Sequence, residues 1–267
     1  MLHSIFARTI RDQRRSLPWW IVGVAATAAL MMSFYPSVKQ SAAQLDEYLK
    51  ALPEALKATF IGGSADYASP AGYLNSELFA LFLPIVFVTF TVAGGARAIA
   101  TEEERGTLDL LLATPMRRRD IILEKFAALA VSTAFLCAAM WASLAAAALW
   151  VDFNMSLGRM AEAMVSLGLL SLAIGALALA IGAARGSHGL AVGLAASVAL
   201  LMYLVNSLGL VVKGLRPWRK LSFFYYYVGN DPLNNGISLA HAAVLIVSTA
   251  LLVVVAIVAF DRRDVAA

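Results

Sequence analysis

Charged side chains make up only 14% of this 267-residue chain, so the places where they gather are where recognition or chemistry can occur. The densest gathering is Thr101-Glu102-Glu103-Glu104-Arg105-Gly106-Thr107-Leu108-Asp109-Leu110-Leu111-Leu112-Ala113-Thr114-Pro115, followed by Met116 and Arg117–Arg119. Thr101 with Glu104 three residues on has capping-box spacing, and acidic residues in a first turn suit the positive end of a helix. Pro115 disfavours helical geometry at Thr114 and should end the element there. The pattern predicts a short helix over Glu102–Ala113, about 18 Å long. Leu108, Leu110, Leu111 and Leu112 cannot all be covered by so short an element. They press onto a membrane bundle or the lipid, or another protein covers them. Glu103, Glu104, Arg105 and Asp109 offer both signs of charge to a partner's groove. A plain amphipathic interfacial helix is the alternative on physics alone, but the arrangement looks like a docking rod.

The remaining reactive residues do not form a catalytic pattern. His3, His188 and His241 are scattered, no His-Glu-x-x-His motif exists, and no spacing gathers Asp152, Glu162 and Asp231. Hydrolysis would need a nucleophile with its base, or a set of metal ligands. The single cysteine, Cys137, lies in an apolar run; it excludes a disulfide framework and a cysteine metal site, and reads as a small core residue. No glycine-rich turn is followed by Lys-Ser or Lys-Thr, so the chain carries no phosphate loop of that kind and its energy source must come from a partner.

Around these residues the chain is 61% hydrophobic, against roughly 45–50% in soluble domains, and its mean hydropathy is +0.76. One soluble core could not hide so much apolar surface. A span needs about 17–25 apolar residues, and six segments qualify: Trp19–Tyr35, Leu78–Ala96, Phe126–Trp150, Met164–Ala184, Leu190–Val212 and Leu239–Phe260. Within lipid only a helix pairs its backbone inside one segment, so the expected fold is all-α with six transmembrane helices.

Six spans put both termini on one side. That side holds thirteen Lys and Arg residues and the other holds eight, which favours cytoplasmic termini. The net charge of +4 sits at the ends of apolar runs, not along one polar face, which argues against a nucleic-acid partner. Within residues 1–17, Leu2, Ile5, Phe6 and Ile10 oppose Arg8, Arg11 and Arg15, as in an amphipathic helix lying on the inner membrane surface. Leu45, Leu49, Leu52, Leu56 and Phe60 recur at helical spacing in the first outer loop, interrupted by Pro53, and suit an interfacial helix. The outer segment 213–238 gathers Trp218 and Phe223–Tyr227 like an aromatic belt, and it is a candidate re-entrant element.

The middles of the spans lack Asp, Glu, Lys and Arg, which weighs against an ion-coupled secondary transporter. Asn206, inside the fifth span, suits a bond across helices. Gly182, Gly186, Gly189, Gly193 and the stretch Gly168–Gly175 offer smooth surfaces, for packing within one subunit or at a seam between two.

The run from Ala100 to Pro115, continuing through Arg117–Arg119 and Ile121-Ile122-Leu123-Glu124-Lys125, resembles the coupling-helix region of type 2 ATP-binding-cassette exporter permeases. The basic N-terminus, Leu221–Tyr227 before Gly229-Asn230-Asp231-Pro232, and Phe260–Asp264 at the end agree, so the resemblance covers essentially all of residues 1–267 as one permease domain. It implies a membrane subunit of an ATP-driven exporter, paired with a second permease subunit and set on two ABC ATP-binding subunits in a bacterial inner membrane. ATP and Mg would bind the partner, and this chain would bind no cofactor. Over Glu102–Ala113, Glu103, Glu104 and Arg105 would make polar contacts with the ATPase. Leu108 and Leu111 would anchor it, Gly106 would permit close backbone approach, and Glu102, Asp109 and Leu112 complete the docking set. The cargo would be apolar or amphipathic, such as a lipid, a drug or a lantibiotic-like peptide.

Overall fold

The structure, a computed structural model, describes residues 5–41, 44, 52–53, 56, 67, 69–104, 106, 116–151 and 153–263. Leu45, Leu49 and Phe60 of the expected interfacial helix lie outside the described residues, as do Leu2 and His3.

The described residues are helical, without strands. A short helix α1 (Ile5–Gln13) leads into α2 (Leu17–Gln40). Next come α3 (Pro70–Leu74), a π-helical turn over Asn75–Phe79, and α4 (Phe82–Arg97). A five-residue helix, α5 (Ala100–Glu104), precedes three long ones: α6 (Arg118–Ala148), α7 (Leu157–Arg185) and α8 (His188–Leu208). Two 3-10 turns over Lys213–Leu215 and Pro217–Leu221 lead to α9 (Phe223–Val228), α10 (Pro232–Asn235) and α11 (Leu239–Asp261). Among them, α2, α6, α7, α8 and α11 are each long and apolar enough to cross a membrane, and the bent pair Pro70–Phe79 with Phe82–Arg97 makes a sixth candidate. Five of the expected spans are thus single helices, and the bent pair stands where the remaining one, Leu78–Ala96, is expected. Several run on past the ends set by hydropathy, because a helix keeps its backbone paired after its side chains turn polar.

Helix α7 is the hub. In its most apolar stretch 67% of residues are buried, against 17% for α8 and 22% for α11, and it packs against α4, α11, α8 and α6. Its small residues make this possible. A Cβ added to Gly95 of α4 would lie 2.2 Å from the backbone oxygen of Gly175, and one added to Gly175 would lie 2.8 Å from Thr91 Cβ. The α4–α7 crossing is thus a backbone-to-backbone contact that only glycine allows, the usual device where lipid supplies no hydrophobic drive between helices. The Gly168–Gly175 stretch serves packing inside this subunit.

The second span starts earlier than expected, at Pro70, and bends by 40° between its halves. Pro84 is the physical cause: it has no N–H to offer the carbonyl of Ala80, and its ring crowds that carbonyl. The chain answers with the π turn, in which Ala80 N–H reaches Asn75 O at 2.6 Å. Such a turn frees a carbonyl, and Tyr227 of α9 donates its hydroxyl to Phe79 O at 2.9 Å. Tyr227 and Phe224 are buried, and Ser166 of α7 donates to Tyr227 O at 3.0 Å. The aromatic segment therefore folds back onto the bundle and plugs the break in the second span.

Candidate functional site: a carboxylate helix at the basic face

The acidic run falls where four other chain ends meet. Helix α4 ends at Arg97, and the backbone turns once through Ala98 and Ile99 before α5. Ile99 and Ala100 are fully buried, so α5 is anchored from beneath and its carboxylates radiate sideways. Ile99, Ile121, Ile122, Val253, Phe260 and Ile5 form one apolar cluster under it.

Each of the three carboxylates reaches a different helix. Glu102 accepts from Lys125 Nζ of α6 at 3.0 Å, and that lysine side chain is only 8% exposed. Glu103 is held bidentately by Arg263, just past α11: Nη1 donates to Oε2 at 2.9 Å and Nη2 donates to Oε1. Glu104 Oε1 accepts the backbone N–H of His188 at 2.8 Å. His188 opens the 21-residue α8, so this carboxylate sits at the positive end of a long helix. The expected capping box does not form, because Thr101 lies inside α5 and Glu104 is engaged elsewhere.

Neighbouring contacts reinforce the junction. Arg118, at the start of α6, donates to Phe260 O at 3.0 Å and Arg263 O at 2.9 Å, capping the last turn of α11, and its guanidinium lies 5.5 Å from the Phe260 ring centroid. Glu124 of α6 accepts the N–H of Phe6 at 2.8 Å, which fixes the start of α1. The end of α4, the starts of α6 and α8, the end of α11 and helix α1 thus share one face, as six antiparallel crossings require.

Two glycines define the geometry. Gly186 caps α7 with φ +65°, and a Cβ there would lie 2.3 Å from both Arg263 Nη2 and Glu103 Oε2. The close fit leaves room for the ion pair only because position 186 has no side chain. Gly106 also has φ +65°, and its N–H closes a turn onto Glu103 O at 2.9 Å. A left-handed residue cannot lie inside an α-helix. The expected rod over Glu102–Ala113 is therefore not one uninterrupted helix: α5 starts at Ala100, two residues early, and a turn at Gly106 follows it. Gly106 has nothing within 4 Å of a would-be Cβ. Arg105, Leu108, Asp109, Leu111 and Leu112 lie outside the described residues.

The sequence reading assigned Glu102, Glu103 and Glu104 to a partner. In the folded chain all three bond to the chain itself. It missed their mates, Lys125, Arg263 and the N–H of His188, having used the two basic residues only for topology and resemblance. One signal was available: Glu124 and Lys125 sit at the mouth of an apolar run, where unpaired charge is costly.

On the opposite face the described polar residues are engaged locally. Glu162 accepts from the N–H of Ile237 at 2.8 Å and from Arg159 at 3.3 Å, while Asp231 accepts from Asn234 Nδ2 at 2.7 Å; Asp152 lies outside the described residues. Asn206 accepts from Arg219 at 3.3 Å, a bond to the following loop. His241 lies against the rings of Tyr225 and Tyr226. Among the described residues no group of His, Cys, Asp and Glu is placed to hold a metal ion.

A family model described as ABC-2 family transporter protein matches residues 3–265. Among curated proteins, none matches.

Proposed function

Because the chain belongs to the ABC-2 transporter family, and is therefore a membrane component of an ABC transporter that works with an ABC ATP-binding subunit, we propose that it carries an apolar or amphipathic solute outward across a bacterial cytoplasmic membrane. Two ATP-binding subunits, holding ATP and Mg, would sit beneath this chain and a second permease subunit, with the termini on their side. Their closure would move segment 102–113, and through it the spans, between inward and outward access.

The observation that carries this reading is the way α5 is tied. A helix of five residues bonds through Glu102, Glu103 and Glu104 to α6, to the end of α11 and to the start of α8, and it continues α4 directly. Any push on the leucine-rich segment beyond Gly106 is delivered to four spans at once. The carboxylates serve as struts to the bundle, which leaves Arg105, Leu108, Asp109, Leu111 and Leu112 as the groups to meet the ATPase.

The test is purification of the tagged chain from native membranes in mild detergent, beside Leu108→Asp. An ABC ATPase that accompanies the wild type and is lost from the variant, with membrane insertion unchanged, is the expected result. Equal ATPase recovery with both chains, together with normal export, would overturn the docking assignment.

A further inference from the structure

Helices α2 and α4 are neighbours in sequence but are held by different partners: α2 packs along α6, and α4 along α7. An edge-to-face contact bridges the space between them, Trp20 against Phe90, with ring centroids 5.4 Å apart. On either side of Trp20 the gap opens into two cavities that share its side chain.

The first, of about 340 Å³, lies at the basic face beneath α1. Its wall carries Arg8, Asp12, Gln13, Arg97 and the Lys125–Glu102 pair. That pair neutralises itself at 3.0 Å. Arg8 and Arg97 make no ion pair among the described residues. Two guanidinium groups therefore line a chamber whose other acid among the described residues is Asp12, an arrangement that favours an anion. The second cavity, of about 310 Å³, is lined by Trp19, Gly23, Val24, Thr27, Phe82 and Val86 and contains no ionisable group. From Trp20 to Thr27 the helix rises about 10 Å, most of the depth of one leaflet of a ~30 Å hydrocarbon layer. The antiparallel run from Phe90 back to Phe82 keeps pace on the other wall. Charge at one end, apolar walls at the other and a tryptophan at the junction match the cross-section of a lipid at the interface.

We propose that the two cavities form one site for a single anionic membrane lipid, its phosphate held between Arg8 and Arg97 and one acyl chain lying in the cleft along Gly23 and Val86. The site goes beyond the transport reading and does not depend on the direction of transport or on the ATPase.

The experiment uses the full chain in nanodiscs of palmitoyl-oleoyl phosphatidylcholine containing a minor fraction of the matching phosphatidylglycerol, with native mass spectrometry after release. Wild type should retain phosphatidylglycerol over phosphatidylcholine by about tenfold or more. Arg8→Gln/Arg97→Gln should abolish that preference. Gly23→Phe is the second probe. A Cβ at Gly23 meets nothing within 4 Å, so the ring can occupy the cleft without disturbing the backbone, and retention should fall although both arginines remain. Equal retention of the two lipids by wild type, or unchanged retention by either variant, would overturn the proposal. Displacement of the lipid by millimolar glycerol 3-phosphate would reassign the basic chamber to free phosphate and likewise overturn it.

Discussion

Replacing Glu103 by Gln separates the two roles that this residue could have. In the folded chain its carboxylate accepts two bonds from Arg263, and the two side chains are 25% and 24% exposed. A hydrogen bond to a charged group contributes about 1.5–3 kcal/mol, against about 0.5–1.5 kcal/mol for a neutral one. Glutamine keeps one acceptor, loses the charge and turns an N–H₂ toward a cation. Partial exposure trims the electrostatic part, which leaves an expected loss of about 2 kcal/mol. At about 2–4 °C per kcal/mol for a chain of this size class, the melting midpoint in detergent should fall by about 4–8 °C. Glu103→Arg/Arg263→Glu should recover about half of the loss, because the pair is re-formed in reverse although the neighbouring backbone contacts of Arg263 are not. ATPase association should survive Glu103→Gln, since the carboxylate faces Arg263. The readouts are thermal denaturation followed by fluorescence, and ATPase co-purification. An unchanged midpoint combined with a lost ATPase would refute the strut and return Glu103 to the partner interface.

Three further outcomes follow from the packing. Gly186→Ala must place a Cβ 2.3 Å from the Glu103 and Arg263 side chains at φ +65°, so it should cost about 2–3 kcal/mol in the same melting assay, whereas Gly189→Ala, with nothing within 4 Å, should be nearly silent. Gly95→Ala drives a Cβ to 2.2 Å from the Gly175 carbonyl, and because that oxygen is backbone, α4 and α7 must separate; the monodisperse fraction after detergent extraction should drop sharply while Gly23→Ala extracts as wild type. Tyr227→Phe removes the hydroxyl that serves the Phe79 carbonyl at 2.9 Å and should destabilise by about 1–3 kcal/mol, with faster hydrogen exchange around residues 79–84 as the local check.

How much of this protein is legible in sequence depends on which interaction sets each feature. The six spans were readable from Trp19 to Phe260 because lipid imposes one requirement, a long apolar run with internally paired backbone, and that requirement is written residue by residue. Counting Lys and Arg gives an expected sidedness, and the leucines with the motif give an expected docking segment, both expectations that await their tests. Composition alone pointed to a membrane protein over a soluble one.

What sequence could not supply is who pairs with whom. Glu103 and Arg263 are 160 positions apart and Glu104 and His188 are 84 apart; only the antiparallel stacking of the spans brings them together. Local rules therefore assigned the acidic run to its own helix end and to a partner, and could not show that Lys125 of α6, Arg263 past α11 and the start of α8 also meet it. The break at Ala80–Leu81 was half legible, since Pro84 announces lost pairing, but its repair by Tyr227 is a contact across 148 residues. Gly95 and Gly175 read as two small residues in separate apolar runs, and became a backbone-to-backbone crossing once α7 took the centre. Local backbone chemistry is set along the chain, while ion pairs, helix crossings and cavities exist only between segments, and so were decided by the tertiary structure.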